Sequence, residues 1–202
     1  MKLYYSPGAC SLSPHIVLHE SGLKFDAESV DLKEKKTKSG KDFNQVNPKG
    51  YVPTLELDDG QILTEGTAIV QYIADKASGA KLIPANGSLE RYRAQEWLNF
   101  IATELHKGFG PLFNPNMPKE AKDIALQRLE MRLGYLDKHF GANDYVMGNA
   151  FSVADAYAFT ILSWTNFVKI DLGKWPNVKK FYDRIGARPK VQEALRVEGL
   201  AK

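Results

Sequence analysis

The stretch VPTLELDDGQILTEG, residues 52–66, determines the fold of the first part of this chain. Residues 54–57 and 61–63 are short strand-like runs on either side of Asp58-Asp59-Gly60. Because an Asp-Gly pair favours the positive φ that tight hairpin turns need, the stretch predicts an antiparallel β-hairpin. Apolar residues at helical spacing follow, so we expect the hairpin to lead directly into a helix over residues 65–77.

The residues before this hairpin alternate between strand-like and helix-like segments. Residues 2–5 predict a short strand, residues 12–21 a helix that Gly22 terminates, and residues 25–30 a second strand. Residues 42–46 predict one short helix before the hairpin. The order is therefore βαβ followed by αββα, which indicates an α/β domain with a mixed sheet over residues 1–80.

The composition changes after residue 80. Residues 83–88, IPANGS, are typical of a linker, and beyond them apolar residues recur at spacings of three and four. Ser152 and Asp155 have the spacing of a capping box, with Asp in place of the usual Glu. We therefore expect an all-helical second domain over residues 87–202.

The bulk composition indicates an ordinary soluble globular protein. The chain has 202 residues, a formal net charge of +3, 44% hydrophobic residues and one cysteine, so an internal disulfide is excluded. No apolar run has the length of a membrane span, and no secretory leader pattern is visible, so we expect a cytoplasmic protein. The basic run at residues 33–41 lacks aromatic residues, which argues against nucleic-acid binding.

Cys10 is the residue whose chemistry is most distinctive. It lies between the first predicted strand and the first predicted helix, for which Ser11 is a suitable N-cap. The exposed N–H groups and the dipole of a helix start favour a thiolate there, which raises reactivity. The alternative is a buried, inert thiol, the commoner fate of a lone cysteine.

Two further positions could contact a ligand. The Val52-Pro53 bond turns the Val52 backbone outward if it is cis, and the residues alone leave its isomer open. Glu65 and Gly66 begin a helix after a strand, so the helix start could hold a carboxylate and Glu65 an ammonium, as in an α-amino acid. Alternatively, Glu65 only complements the helix dipole. Four scattered histidines and one cysteine suggest no metal site.

Together these features resemble bacterial beta-class glutathione transferases over essentially the whole chain. The motifs that carry the resemblance are PGACSL at 7–12, NPKG at 47–50, VP at 52–53, LTEG at 63–66, WLNFI at 97–101, ELHK at 104–107 and SVADAY at 152–157. The resemblance implies a thioredoxin-like first domain that binds glutathione and a helical domain that supplies most of the electrophile pocket. It further implies a homodimer and glutathione as a co-substrate, with no tightly bound cofactor.

The resemblance also implies roles for individual residues. Cys10 and His106 are the implied catalytic residues, Pro53 is implied to be cis, and Lys35 is implied to meet the glycyl carboxylate of glutathione. The implied glutathione contacts are Tyr5, Ser11, Lys35, Val52, Pro53, Glu65, Gly66, Asn99, Thr103, His106 and Lys107. The candidates for the electrophile pocket are Phe113, Tyr157 and Trp164, each of which could equally belong to the helical core. Many transferases have Ser where this chain has Gly66, so a hydroxyl contact is absent here.

Conjugation of the glutathione thiolate to electrophilic, mostly apolar or aromatic compounds is the leading functional hypothesis. It would serve detoxification, with glutathione-dependent dehalogenation as a further substrate hypothesis. Cys10-Ser11-Leu12-Ser13 lacks the second cysteine of C-x-x-C, which excludes a two-cysteine redox mechanism but leaves a monothiol disulfide oxidoreductase as an alternative. A non-catalytic binder of apolar ligands is the third hypothesis.

Overall fold

A computed structural model describes residues 1–201 of the chain. These residues form two compact units. The first comprises Met1–Ile83 together with the segment that begins at Ala187, and the second comprises Pro84–Gly186. The boundary between residues 83 and 84 falls between the predicted domains 1–80 and 87–202, whereas the C-terminal segment belongs to the first unit.

The first unit contains a mixed β-sheet, as the sequence predicts. Its strands are β1 (Lys2–Tyr5), β2 (Asp26–Asp31), β3 (Lys36–Thr37), β4 (Thr54–Glu56) and β5 (Ile62–Thr64). Their order is β3-β2-β1-β4-β5, in which β1 and β2 are parallel and the other neighbouring pairs are antiparallel. The two-residue strand β3 is the one member of this sheet that the sequence pattern did not predict.

The predicted hairpin is the pair β4 and β5. Leu55 is paired with Leu63, and Gly60 has a φ of 82°, the left-handed conformation that the Asp-Gly turn predicts. The first helix ends in the same way, because Gly22 has a φ of 70° directly after it. Both turn predictions are confirmed.

The helices of the first unit cover the sheet. They are α1 (Leu12–Ser21), α2 (Phe43–Val46), α3 (Gly66–Lys76) and, from the C-terminal segment, α10 (Pro189–Val197), with a short 3₁₀ turn at Ser78–Ala80. Ile16 on α1, Ile69 and Ile73 on α3 and Leu55 on β4 are completely buried. These apolar side chains form the core that α1, α3 and the sheet share.

The segment from residue 187 onwards corrects the predicted domain boundary. The sequence assigned it to the helical domain, whereas α10 packs against α1 of the first unit. Val191 and Ala194 on α10 are fully buried. The buried side chains of His15 and Glu198 are also hydrogen-bonded, with 2.8 Å between Nδ1 and Oε1. A helical pattern alone does not reveal which unit a helix packs against, so the sequence could not indicate that α10 belongs to the first unit.

The second unit is helical, as predicted. Its helices are α4 (Leu89–Phe100), α5 (Lys107–Phe113), α6 (Lys119–Phe140), α7 (Val153–Ser163), α8 (Thr165–Val168) and α9 (Pro176–Gly186), with a π-helical stretch at Ile101–His106 and a 3₁₀ turn at Leu172–Lys174. Leu129, Leu133 and Leu136 on α6 are completely buried, in agreement with the predicted apolar stripe. In the described part of the chain, no helix combines the length and the apolar character that crossing a membrane requires.

The predicted capping box begins α7. The backbone N–H and the hydroxyl of Ser152 both donate to Oδ2 of Asp155 at 2.7 Å, and the Val146 N–H donates to Oδ1 at 2.7 Å. Asp155 is completely buried, and this burial raises its pKa to about 6. The box therefore joins the start of α7 to the loop that precedes it.

Candidate functional site

Cys10 lies in the turn between β1 and α1, where its side chain is half-buried. Its Sγ is 3.4 Å from the carbonyl oxygen of Val52, to which the thiol donates a weak hydrogen bond. Val52 precedes β4, which pairs with β1. The sheet therefore brings a residue from position 10 next to one from position 52.

Ser11 does not cap α1 with its side chain, which corrects the sequence prediction. Its hydroxyl instead donates to the Ser6 carbonyl at 3.2 Å and accepts from the Ser6 N–H at 3.1 Å. Ser11 is completely buried, so these bonds hold the loop that carries Cys10. Tyr5 is also buried, with its ring 5.1 Å from that of His15. Burial and the nearby Glu198 carboxylate raise the pKa of Tyr5.

The Val52-Pro53 peptide bond is cis, as the family resemblance implies. Pro53 lies beside the start of α3, because a Cβ placed on Gly66 would be 3.5 Å from Cγ of Pro53. That distance is an ordinary van der Waals contact, so the space at Gly66 admits a Cβ. Cys10, Val52, Pro53 and Gly66 therefore form one continuous set of neighbours within the first unit.

Glu65 adopts the left-handed region of backbone space, with a φ of 69°, immediately before α3. This conformation is costly for a residue that is not glycine, and such residues are concentrated at functional sites. Its Oε1 accepts hydrogen bonds from the Lys49 ammonium and from the Tyr51 hydroxyl, each at 2.7 Å. The contact with Glu65 raises the pKa of both Lys49 and Tyr51.

Lys49 and Tyr51 contact the candidate residue Glu65, and the sequence analysis gave neither of them a role. Lys49 stands within the motif NPKG at positions 47–50, and Tyr51 lies between that motif and Val52-Pro53. The available signal was a cation and a phenol at these positions, but no spacing rule indicates that they meet a glutamate 14 to 16 residues later. Lys35 joins the same region, because its Nζ donates to the Gly50 carbonyl at 2.7 Å.

The helical unit presents its predicted site residues around the π-helical stretch. Thr103 and His106 lie within it, Asn99 precedes it on α4, and Lys107 begins α5. The Thr103 hydroxyl donates to the Asn99 carbonyl at 3.0 Å, and Asn99, Thr103 and Lys107 are exposed. Single π-helical turns are frequent at functional sites, which agrees with the position of these residues.

His106 is the centre of an aromatic cluster in this unit. Its Nδ1 is 2.7 Å from the Tyr157 hydroxyl, and its ring meets the Trp164 ring edge-on with 4.8 Å between centroids. Burial, with a smaller contribution from the Lys107 charge, lowers the pKa of His106 to about 4. The imidazole is therefore neutral near neutral pH.

The three candidates for the electrophile pocket differ in exposure. Tyr157 and Trp164 are buried, while Phe113 is 45% exposed. Trp164 connects them, because its ring lies 5.4 Å from that of Phe113. The structure thus brings His106, Tyr157, Trp164 and Phe113 into one chain of ring contacts. In residues 1–201, no group of three or more His, Cys, Asp and Glu side chains is placed to hold a metal ion.

Comparisons with known proteins agree on the character of both units. The model of the glutathione S-transferase N-terminal domain matches residues 8–76, and that of the C-terminal domain matches residues 100–189. The chain is 49% identical over 200 residues to glutathione S-transferase GstA of Escherichia coli O157:H7, covering 99% of this chain and 100% of that protein.

Two solved structures extend this similarity to the fold. One is a sphingomonad glutathione S-transferase complexed with glutathione, and the other is a beta-class glutathione S-transferase from Sphingomonas chungbukensis. Each is 49% identical to this chain, has a TM-score of 0.96 and covers 100% of both chains.

Proposed function

Because the chain belongs to the glutathione S-transferase family, in its bacterial beta class, we propose that it joins the thiolate of glutathione to electrophilic, mostly apolar or aromatic compounds. The observation that carries this proposal is the set of neighbours in the first unit, with the Cys10 thiol 3.4 Å from the Val52 carbonyl and Gly66 against Pro53. These neighbours offer glutathione three binding features: the Cys10 thiol, the Val52 carbonyl and the start of α3. A related sphingomonad enzyme is known in complex with glutathione, which supports the same ligand here.

The ends of glutathione suit the charges of the first unit. The Glu65 carboxylate and the N–H groups at the start of α3 would take the ammonium and carboxylate of the γ-glutamyl end. The Val52 backbone would pair with the cysteinyl part, and Lys35 would meet the glycyl carboxylate. These assignments are the ones that the family resemblance implies, and they agree with opposite charge and hydrogen-bond complementarity. Together they would place the sulfur of glutathione beside Cys10.

In the reaction, the glutathione sulfur attacks an electrophilic carbon. With a chloroaromatic, a carbon–sulfur bond forms and chloride leaves with the bonding electron pair, so dehalogenation is the same chemistry. An ordinary thiol is mostly protonated at neutral pH, so catalysis requires that the thiolate be stabilised and aligned. Cys10 and neutral His106 would act on this sulfur, with Asn99, Thr103 and Lys107 contributing further contacts.

A monothiol disulfide reaction is a second candidate, because the half-buried Cys10 is the only cysteine of the chain. Its thiolate would attack the glutathione sulfur of a mixed disulfide between glutathione and another thiol, forming a Cys10–glutathione disulfide and releasing the other thiol as its thiolate. A glutathione thiolate would then attack this disulfide, releasing the Cys10 thiolate and forming oxidised glutathione. This route uses the same binding residues and differs in the nucleophile, which is the sulfur of Cys10 in its first step.

The two reactions separate in parallel assays of the purified protein. One assay follows conjugation of glutathione to 1-chloro-2,4-dinitrobenzene, and the other follows glutathione-dependent reduction of a mixed disulfide. We expect conjugation well above the uncatalysed rate. Disulfide reduction without conjugation would favour the monothiol alternative, and binding of an apolar dye with neither reaction would favour a non-catalytic binder.

We further propose that the enzyme is a cytoplasmic homodimer that serves detoxification. Its membership of the glutathione S-transferase family supports these assignments. Sedimentation velocity of the purified protein tests the dimer, for which we expect one species of twice the 22.6 kDa chain mass. A single species of chain mass at micromolar concentration would contradict it.

A further inference from the structure

A cavity within the helical unit is not explained by the binding of glutathione. Its volume is about 520 Å³, which lies in the range of small-molecule sites. The residues that line it come from α5, α6, α8 and the segment after α8: Leu112, Phe113, Lys122, Leu126, Glu130, Phe167, Val168, Lys169, Ile170, Asp171 and Lys174. Every one of them belongs to the second unit.

The walls of this cavity combine six apolar with five charged residues and include two exposed aromatic rings. Phe113 is 45% exposed and Phe167 is 61% exposed. An exposed aromatic side chain is common, but two of them on one concave surface indicate a place for an apolar ligand. Leu112, Leu126 and Val168 extend the apolar surface between them.

The charges of the cavity leave a cationic surplus. Nζ of Lys174 lies 3.5 Å from Oε1 of Glu130, and the Asp171 carboxylate accepts the Gly173 N–H at 2.8 Å. Lys122 and Lys169, by contrast, have no acidic partner within 4.0 Å among residues 1–201. The lining holds three lysines and two carboxylates, so a negatively charged group bound at Lys122 and Lys169 would meet a net charge of +1.

The cavity is connected to the residues proposed to act on the glutathione sulfur. Phe113 lines the cavity and contacts the Trp164 ring, which in turn contacts His106. A ligand against Phe113 is thus separated from His106 by one aromatic side chain. This continuity indicates that the cavity accommodates part of the electrophilic substrate.

We propose that this cavity selects aromatic electrophiles that carry a negatively charged substituent, such as a carboxylate, which Lys122 and Lys169 recognise. The inference rests on the proposed conjugation, because it names the class of the second substrate. The ring of that substrate contacts the apolar walls, and its anionic group lies towards the two lysines. The bond changes are those of the conjugation itself, with chloride as the leaving group.

Direct binding tests the cavity without any reaction. Calorimetric titration compares 2-naphthoate with the neutral 2-naphthylmethanol on the wild-type protein and on Lys122→Gln and Lys169→Gln. We expect the wild type to bind 2-naphthoate more tightly than 2-naphthylmethanol. Each variant should bind 2-naphthoate about fivefold more weakly than the wild type does, and this difference in affinity should shrink in high salt. Lys138→Gln, an exposed lysine on the same helix as Lys122, should match the wild type.

Kinetics then test the assignment to the second substrate. The value of kcat/KM is measured for 4-chloro-3,5-dinitrobenzoate and for the neutral 1-chloro-2,4-dinitrobenzene. We expect Lys122→Gln to lower the value for the benzoate about fivefold more than the value for the neutral compound. Equal losses, or equal binding of both naphthalene ligands by the wild type, would overturn the proposal and leave the conjugation intact. If the wild type conjugates neither compound, the proposed function fails and so does this substrate assignment, even where 2-naphthoate binds.

Discussion

The two units position their candidate functional residues in different ways. In the first unit, the backbone places the functional groups: the carbonyl of Val52 before a cis proline, the left-handed Glu65 and the start of α3. In the helical unit, side-chain packing places them, since His106 is held by the Tyr157 hydroxyl and by the ring of Trp164. We therefore expect substitutions of the candidate residues in the first unit to affect function without stability, and those in the second unit to affect both.

The difference predicts how each unit responds to substitution. A side chain that projects from a backbone-defined turn can change glutathione binding with little change in the free energy of unfolding. A side chain of the ring cluster supports its neighbours, so its removal changes stability as well as activity. The following predictions test this contrast, from the largest expected effect to the smallest.

Removal of the Trp164 ring gives the largest expected effect. Trp164 is 8% exposed and contacts the rings of His106, Phe109 and Phe113. We expect Trp164→Ala to lower the free energy of unfolding by about 3 kcal/mol or more, measured by urea denaturation. Phe113→Ala, at the exposed end of the cluster, serves as the control and should lower the free energy of unfolding clearly less. Equal stability of Trp164→Ala and the wild type would contradict the packing account.

The pH dependence of stability tests the burial of His106. Its pKa falls from 6.5 to about 4 in the folded protein, so the unfolded chain binds more protons between these values. Stability from this group is therefore lost as the pH falls through that window. We expect the wild type to lose up to about 2 kcal/mol more than His106→Gln between pH 7 and pH 5. The same slope in both proteins would show that burial of His106 does not control this loss.

Glu65→Gln tests the first unit. The substitution keeps the size of the side chain and removes the charge proposed to hold the glutathione ammonium. We expect the KM for glutathione to rise about tenfold, because a charge-assisted hydrogen bond is lost, while the free energy of unfolding changes by less than about 0.5 kcal/mol. Glu96→Gln, at an exposed glutamate paired with Arg93, is the matched control. A large loss of stability in Glu65→Gln would break the contrast between the units.

Gly66→Ser gives the smallest expected effect. The site has room for a Cβ, which would lie 3.5 Å from Pro53, and the added hydroxyl could reach the γ-glutamyl carboxylate. We expect a gain of a few tenths of a kcal/mol in stability and a KM for glutathione lowered about twofold. Gly60→Ser is the control, because Gly60 has a φ of 82° and the same change should destabilise there by about 1 kcal/mol. Destabilisation by Gly66→Ser would contradict the account.

Most of the fold was predictable because its signals are local. The Asp-Gly turn, the Gly22 helix stop and the Ser152–Asp155 capping box each depend on a few neighbouring residues, and each is found in the structure. The assignment of α10 was not predictable, because Val191 and Ala194 could face any apolar surface. The surface that they face is α1, as the structure shows through contacts such as that of His15 with Glu198.

The candidate site residues likewise fall into those that local sequence signals indicated and those that they did not. Cys10, Val52 and Glu65 stand in short motifs, so the sequence indicated them. The role of Ser11 was mistaken because its hydroxyl prefers the backbone of Ser6, a contact within the loop that a helix-cap rule does not include. Lys49, Tyr51 and the lysines of the cavity were missed, since their importance arises from residues distant in the sequence.

The pH dependence of conjugation in the wild type and in Cys10→Ala tests most directly the claim that Cys10 acts on the sulfur of glutathione. The measured quantity is kcat/KM for 1-chloro-2,4-dinitrobenzene from pH 5 to pH 9. We predict a lower rate for Cys10→Ala and an inflection moved upwards, towards the value of about 8.5 of an ordinary thiol. Superimposable rates and profiles would contradict the claim and leave Cys10 without a catalytic role.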